Sequence, residues 1–220
     1  MFDSLRRSGY RWNHKRVHRV YVELKLNLRR KAKRRLPSRN PQPLVVPEQL
    51  NQSWSMDFMS DTLDNGHRFR TFNVIDDYNR EALAIEIDLS LPAPRVLRVL
   101  DRLVERHGYP KQLRSDNGPE FISVQLAEWA ETNRIHLEFI KPGKPTQNSY
   151  VERFNRTYRE EIFDAYIFQS LDEVRRVTRT WIDEYNGERP HKALGRITPL
   201  EYRRANSPEG AKLSPAQKAG

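Results

Sequence analysis

The sequence predicts an α/β domain, a mixed five-stranded sheet flanked by helices, behind a basic N-terminal helical arm. Three observations support this. Apolar and polar residues alternate in three successive stretches after residue 51. Helical periodicity then alternates with two short apolar stretches. The excess of Lys and Arg is confined to the first forty residues. Strands joined by tight turns pair antiparallel and strands joined by helices run parallel, so one sheet holds both senses.

The arm comes first. Residues 1–40 hold 14 Lys and Arg against Asp3 and Glu23, a local charge of +12 in a chain whose formal total is +10. Phosphates reward clustered cations through counterion release, so nucleic acid is the partner this charge points to. Val17, Val20, Tyr21 and Leu24 fall at i, i+3, i+4 and i+7, one apolar face of a helix. Lys15, Arg16 and Arg19 lie on its basic side and are candidate DNA contacts. LRRKAKRRLPSRNPQP mixes seven basic residues with three prolines and reads as a linker, ending the arm at residue 44.

The core is expected over 45–205. SWSMDFM alternates Trp54, Met56 and Phe58 against Ser55 and Asp57; DTLDNGHR supplies a turn, and FRTFNVID and EALAIEID follow as strands. Val96, Leu100, Leu103 and Val104 form one face of a helix that stops at Gly108 and Pro110. KQLRS reads as a buried strand, ISVQLAEWAETNRI as a helix anchored by Leu126, Trp129 and Ala130, and HLEFI as the last strand. A helix containing Glu152 and another from Leu171 to Tyr185 complete the set. This order is that of the ribonuclease-H-like fold. The final residues, 206–220, have the composition of a disordered tail.

Composition excludes several functions. With no cysteine there are no disulfides, cysteine nucleophiles or cysteine zinc modules. His14 and His18 are too few for a zinc site and read as surface residues. No apolar run reaches bilayer length and the N-terminus lacks a signal-peptide core, so no membrane partner is expected and the chain is placed in the cytoplasm.

Three acids stand where metal chemistry needs them. Asp57 lies inside the first strand, opposite the Trp54, Met56 and Phe58 face, where a charge requires a partner. Asp116 ends the fourth strand before Asn117, Gly118 and Pro119, at the sheet edge where such folds place ligands. Glu152 follows after 35 intervening residues. Hard oxygen donors with open positions suit Mg²⁺, with Mn²⁺ as a substitute, and two such ions can activate a water or a 3′ hydroxyl at a phosphodiester. On a helical wheel Val151, Phe154, Tyr158 and Ile162 form a buried stripe, with Glu152, Arg156 and Arg159 beside it. Arg156 and Arg159 are candidate DNA contacts, although judged alone the stretch is better read as an ordinary helix with a Glu152–Arg156 pair at i, i+4. Lys144, Gln147 and Asn148, on the loop before Glu152, are further candidates for DNA near the cut.

WSMDFM, NVIDDYNREALAIEID, RSDNGPEF, KPTQNSYVERFNRTYREE and YNGERPHKALGRITPLEY, in this order, resemble the second-reading-frame product of bacterial insertion-sequence transposases, whose catalytic core is similar to retroviral integrases. The resemblance spans Gly9 to Tyr202. It implies that Asp57, Asp116 and Glu152 are the catalytic acids, that two Mg²⁺ ions serve cleavage and direct strand transfer, and that Arg159 is the family's basic residue after the glutamate. It implies double-stranded DNA partners (element ends and target), a homo-oligomer on DNA, and cooperation with the upstream-reading-frame protein. The arm resembles the latter part of a helix-turn-helix-like segment. Alternative readings are a ribonuclease-H-type nuclease, and a non-catalytic DNA-binding fragment or regulator.

The other polar candidates have structural readings. Asp76 and Asp77 suit a hairpin turn, Glu120 a cap on the next helix, and ERPHKALGRITPLEY, with Arg189 and His191, an extended strap after the last helix.

Overall fold

The computed structural model describes residues 1–26, 46–140 and 148–206. The predicted linker, Lys144, Gln147 and nearly all of the predicted tail fall outside the described residues. Strands β1 (Trp54–Thr62), β2 (Arg68–Asp76), β3 (Ala82–Asp88), β4 (Gln112–Ser115) and β5 (His136–Phe139) form one sheet in the order β3-β2-β1-β4-β5. β1 pairs antiparallel with β2, and β2 with β3, whereas β1–β4 and β4–β5 are parallel. The mixed sheet is therefore as the sequence predicts. The parallel half is the part whose connections are α3 (Ala93–His107) and α4 (Val124–Thr132).

Strand alternation sends side chains to two cores. Trp54, Met56, Phe72 and Val74 face α3 and α4, where Val96, Leu100, Leu103, Leu126 and Ala130 are buried against them. Met59, Phe69, Ile75 and Ile87 face the other layer, made of α5 (Ser149–Tyr158) and α6 (Leu171–Gly187), which contribute Val151, Phe154, Tyr158, Val174 and Trp181. Asp57 is on this second side, as alternation from Met56 and Phe58 requires. Helix α5 passes at Arg159 into a π-turn through Phe163, a feature frequent at functional sites.

The first residues of the chain meet the segment around residues 196–201. Helix α1 (Phe2–Arg7), which the sequence reading does not foresee, packs beside α2 (His14–Glu23) through Phe2 and His14. It is tied to the C-terminal region by Arg7–Glu201, at 2.5 and 2.8 Å, and by Asp3–Arg196 at 2.8 Å. On α2 only Val17 is buried, so the predicted apolar face is largely open, with Leu24 at 62% exposure. The expected extended strap after α6 is instead a 3-10 turn (Lys192–Leu194) and a helix, α7 (Pro199–Ala205). Thr198 and Glu201 form a capping box there with Pro199 at the first helical position, so Thr-Pro-Leu-Glu is a local start signal.

Candidate active site

β1 places Asp57 in mid-strand opposite Asn73, and the parallel neighbour β4 ends one residue before Asp116. Helix α5 crosses this side of the sheet with Glu152 in its first turn. The Asp57 carboxylate accepts hydrogen bonds from the Phe58 backbone N–H and from Asn155 Nδ2, each at 2.8 Å. Asn155 Oδ1 in turn accepts from Asn73 Nδ2 at 2.7 Å. Two amides thus fix the acid, and Asn155 stands one helical turn after Glu152. Sequence reasoning misses Asn155, because its partner is 98 positions away and no local pattern distinguishes it.

Electrostatics connect the three acids. Burial pushes the Asp57 carboxyl up to about 6, and the charges of Asp116 and Glu152 add to the rise. Burial also raises Glu152, an effect that Arg156 opposes. None of the three forms an ion pair among the described residues. Asp116 Oδ1 accepts from the Gly118 N–H at 3.0 Å, and a Cβ on Gly118 would stand only 3.0 Å from that oxygen, so a side chain there would push the carboxylate aside by a few tenths of an ångström. The donor set is all carboxylate oxygen, electrostatically coupled and without a paired cation, which fits a divalent ion such as Mg²⁺. Among the described residues, however, no three acidic or histidine side chains close into a single ligand cluster in this conformation.

The other predicted contacts distribute differently. Lys15, Arg16 and Arg19 are exposed on α2, with Arg16 over the Trp12 ring and Arg19 facing Glu23 at 3.7 Å. Arg156 is exposed beside Glu152. Arg159 is committed to the protein, pairing with Asp61 at 3.3 Å and donating to the Ser60 carbonyl at 3.0 Å, because the end of α5 lies against β1. Asn148 is 2% exposed and points its Nδ2 at the Met56 carbonyl, 3.4 Å away, so its side chain faces the sheet and not a DNA backbone. Glu120 does not cap α4. Ser123 does, accepting from the Leu126 N–H at 3.2 Å, while Glu120 pairs with Arg70. Asp76 and Asp77 do flank the turn before β3, yet both are buried, and Asp77 pairs with Arg114 at 2.8 Å.

Two profiles of the Integrase core domain match the sequence, over residues 47–145 and 133–199. Over 196 residues the chain is 41% identical to the "Insertion element IS407 uncharacterized 31.7 kDa protein" of Burkholderia multivorans, covering 89% of this chain and 71% of the relative. It is 27% identical to InsK of the Escherichia coli (strain K12) insertion sequence element IS150, named as a putative transposase, over 91% of this chain and 74% of that one. The HTLV-2 integrase catalytic core domain, solved in complex with magnesium, superposes with a TM-score of 0.55 at 15% identity over 73% of this chain and 99% of that one, which shows the shared fold. Together with the mixed sheet and its acidic edge, these matches define an integrase-core protein. The chain belongs to the integrase-like transposases of bacterial insertion sequences. It spans 58% of another such relative, the "Insertion element IS476 uncharacterized 39.2 kDa protein" of Xanthomonas euvesicatoria, at 38% identity over 92% of this chain.

Proposed function

We propose that the chain is the catalytic part of a DDE transposase, cutting and joining DNA at the ends of an insertion sequence through Asp57, Asp116 and Glu152. The observation that carries this reading is the half-buried Asp57 carboxylate, held by Asn155 on the helix that bears Glu152, raised to about 6 with the charges of Asp116 and Glu152 adding to the rise, and without a paired cation among the described residues. A fold places such charges together at a cost, which a bound cation offsets. Asp57, Asp116 and Glu152 would hold one or two Mg²⁺ ions, or Mn²⁺ in their place. Bound there, the ions would supply the Lewis acidity that activates the attacking oxygen and stabilises the leaving one.

The remaining work belongs to the protein. In cleavage, water attacks a phosphodiester at the element end; the P–O bond to the 3′ oxygen breaks, and that oxygen takes a proton to become a 3′ hydroxyl. In joining, this hydroxyl attacks a phosphodiester of target DNA, losing its proton as the leaving oxygen gains one. One bond forms and one breaks, so no nucleotide hydrolysis is needed. Asn155 and Asn73 hold the Asp57 carboxylate at a fixed angle. Exposed Arg156, with Lys15, Arg16 and Arg19, would hold phosphates. Lys144 and Gln147 are candidates for the same role from the sequence alone. Arg159 braces α5 on β1, and a phosphate would have to displace Asp61 to reach it. No helix among the described residues is long and apolar enough to cross a membrane. A cytoplasmic homo-oligomer on DNA, working with an upstream-frame protein, completes the proposal.

The test is strand transfer with a labelled duplex carrying an element end. Wild type is expected to give joined products. A ribonuclease-H-type nuclease would only cut, and a non-catalytic fragment would only bind. Wild-type activity in Asp116→Asn would overturn the assignment.

A further inference from the structure

On the flank of α5 away from Glu152 lies a groove of about 660 Å³ between that helix, α6 and the turn after it. Tyr150 and Arg153 line it from α5, Arg189, His191 and Lys192 from the C-terminal segment, and Arg80 from the turn before β3; no acidic residue among the described residues lines it. Arg189 is already paired, its Nη1 lying 2.6 Å from both Glu161 oxygens. Arg80, Arg153 and Lys192 form no ion pair among the described residues. Three of the groove's four Arg and Lys residues therefore have no ion-pair partner among the described residues.

Two residues that line the groove also carry an orphaned polar atom. Arg80 Nη1 and His191 Nε2 are buried without a hydrogen-bond partner among the described residues, whereas buried polar atoms are nearly always paired. The Arg80 guanidinium lies 3.5 Å from the centre of the Tyr150 ring, which holds this cation against the groove wall. Burial holds His191 down at about 4, and Arg189, Arg80 and Arg153 add to the depression. Among the described residues the acids whose charges act on this cluster are Glu161, through Arg189 and at Tyr185, and Asp77, which Arg80 influences.

We propose that this groove is an oxyanion site that seats a backbone phosphate of double-stranded DNA, apart from the phosphodiester at the carboxylates. The DNA assignment rests on the transposase reading, whereas the oxyanion chemistry stands on the groove itself. A helix with its side chains is about 10–12 Å across. A phosphate held by Arg80 and Arg153 is therefore within about three nucleotide steps, at roughly 3.4 Å each, of one held beside Glu152. Helix α5 would act as a wedge gripping the duplex on both flanks, and the groove would set the distance from the anchor to the cut.

The experiment uses the full chain in chelator, so that no reaction occurs. Binding to a duplex is measured between about 50 and 200 mM salt for wild type, Arg80→Gln, Arg153→Gln, Lys192→Gln and the Arg80→Gln/Arg153→Gln pair, with melting temperatures as the folding control. The double variant is expected to bind about tenfold more weakly, and its log–log salt slope to fall by about 0.9 for each phosphate it no longer neutralises. Lys192 lies outside the turn that carries Arg80, so its variant keeps the test open if Arg80→Gln fails to fold. Inorganic phosphate, followed by the NMR titration of His191, is expected to raise that histidine's pKa in wild type and not in Arg153→Gln. Unchanged affinity and slope in every groove variant would overturn the proposal, and if Arg156→Gln alone reduces the slope, the transposase reading survives that failure. A His191 response to phosphate with DNA binding intact in the groove variants would also overturn it, by making the groove a free-phosphate site. A wild type that binds no duplex would sink both.

Discussion

Two aspartates, half-buried Asp57 and fully buried Asp77, sit on and beside the same sheet and are treated oppositely by the fold. Asp77 is fully buried and answered by a cation: Arg114 Nη1 donates to it at 2.8 Å, Ser53 Oγ at 2.9 Å, and Arg114 Nε continues to Glu138 at 2.8 Å. Asp57 receives only an amide and a backbone N–H, and faces two like charges. Burial raises both carboxyls, but only at Asp77 does an arginine oppose the rise. At Asp77 the fold supplies a counter-charge, and at Asp57 it supplies none among the described residues. An acid that burial raises and no cation answers is therefore the better pointer to a functional site, even though both residues are plain aspartates in the sequence.

Predictions that break this contrast can be ranked. The largest concerns activity. Asp116→Asn or Glu152→Gln is expected to reduce strand transfer by a factor on the order of 10³ or more, about 4 kcal/mol of barrier, with little change in melting temperature. The next concerns the Asp77–Arg114 pair. Arg114→Met leaves Asp77 buried and alone, which should cost about 3–5 kcal/mol and lower the melting temperature by roughly 10 °C; a change under a degree or two would show that the pair contributes nothing.

At Asp57 the sign reverses. Its folded pKa lies above the unfolded value of about 4, so the folded state binds more protons between about 4 and 6. The stability linked to it is present below about pH 4 and lost as pH rises through about 6. Without divalent ions, Asp57→Asn is therefore expected to melt higher than wild type above about pH 6, the gap shrinking toward about pH 4. A lower melting point across that range would contradict the account. A smaller effect is expected at Asn155. Asn155→Ala should lower kcat roughly tenfold with little change in KM for DNA, since the amide orients Asp57 and does not hold substrate. Smallest is Arg159→Gln: as a brace on Asp61 it should leave the salt slope for DNA unchanged, whereas a residue that touched a phosphate directly would take about 0.9 off the slope when neutralised.

How much of this is legible in the sequence follows from range. Local patterns reveal strands and helices because periodicity and turn residues act within a few positions. The sense of each strand pair follows from whether a turn or a helix joins it, and the three acids follow from strand position and spacing. Partnerships across the fold do not. Asp77 meets Arg114 at a separation of 37 positions and Asp57 meets Asn155 at 98, so turn propensity describes Asp77 while its buried pairing stays invisible. Glu120 reads as a cap for the same reason, since its partner Arg70 lies on β2. The Thr198 capping box, in contrast, is local, and its signal lies open in the sequence even though the strap reading passes over it.

On the reading proposed above, Asp57, Asp116 and Glu152 together would form a divalent-cation site. Its most direct test is Mn²⁺ binding to the full chain at neutral pH, read by electron paramagnetic resonance and by the melting temperature. Wild type is expected to bind saturably and melt higher as the ion is added, with Asp57→Asn, Asp116→Asn and Glu152→Gln each losing most of that gain. Equal binding and equal stabilisation in wild type and all three variants would contradict the account.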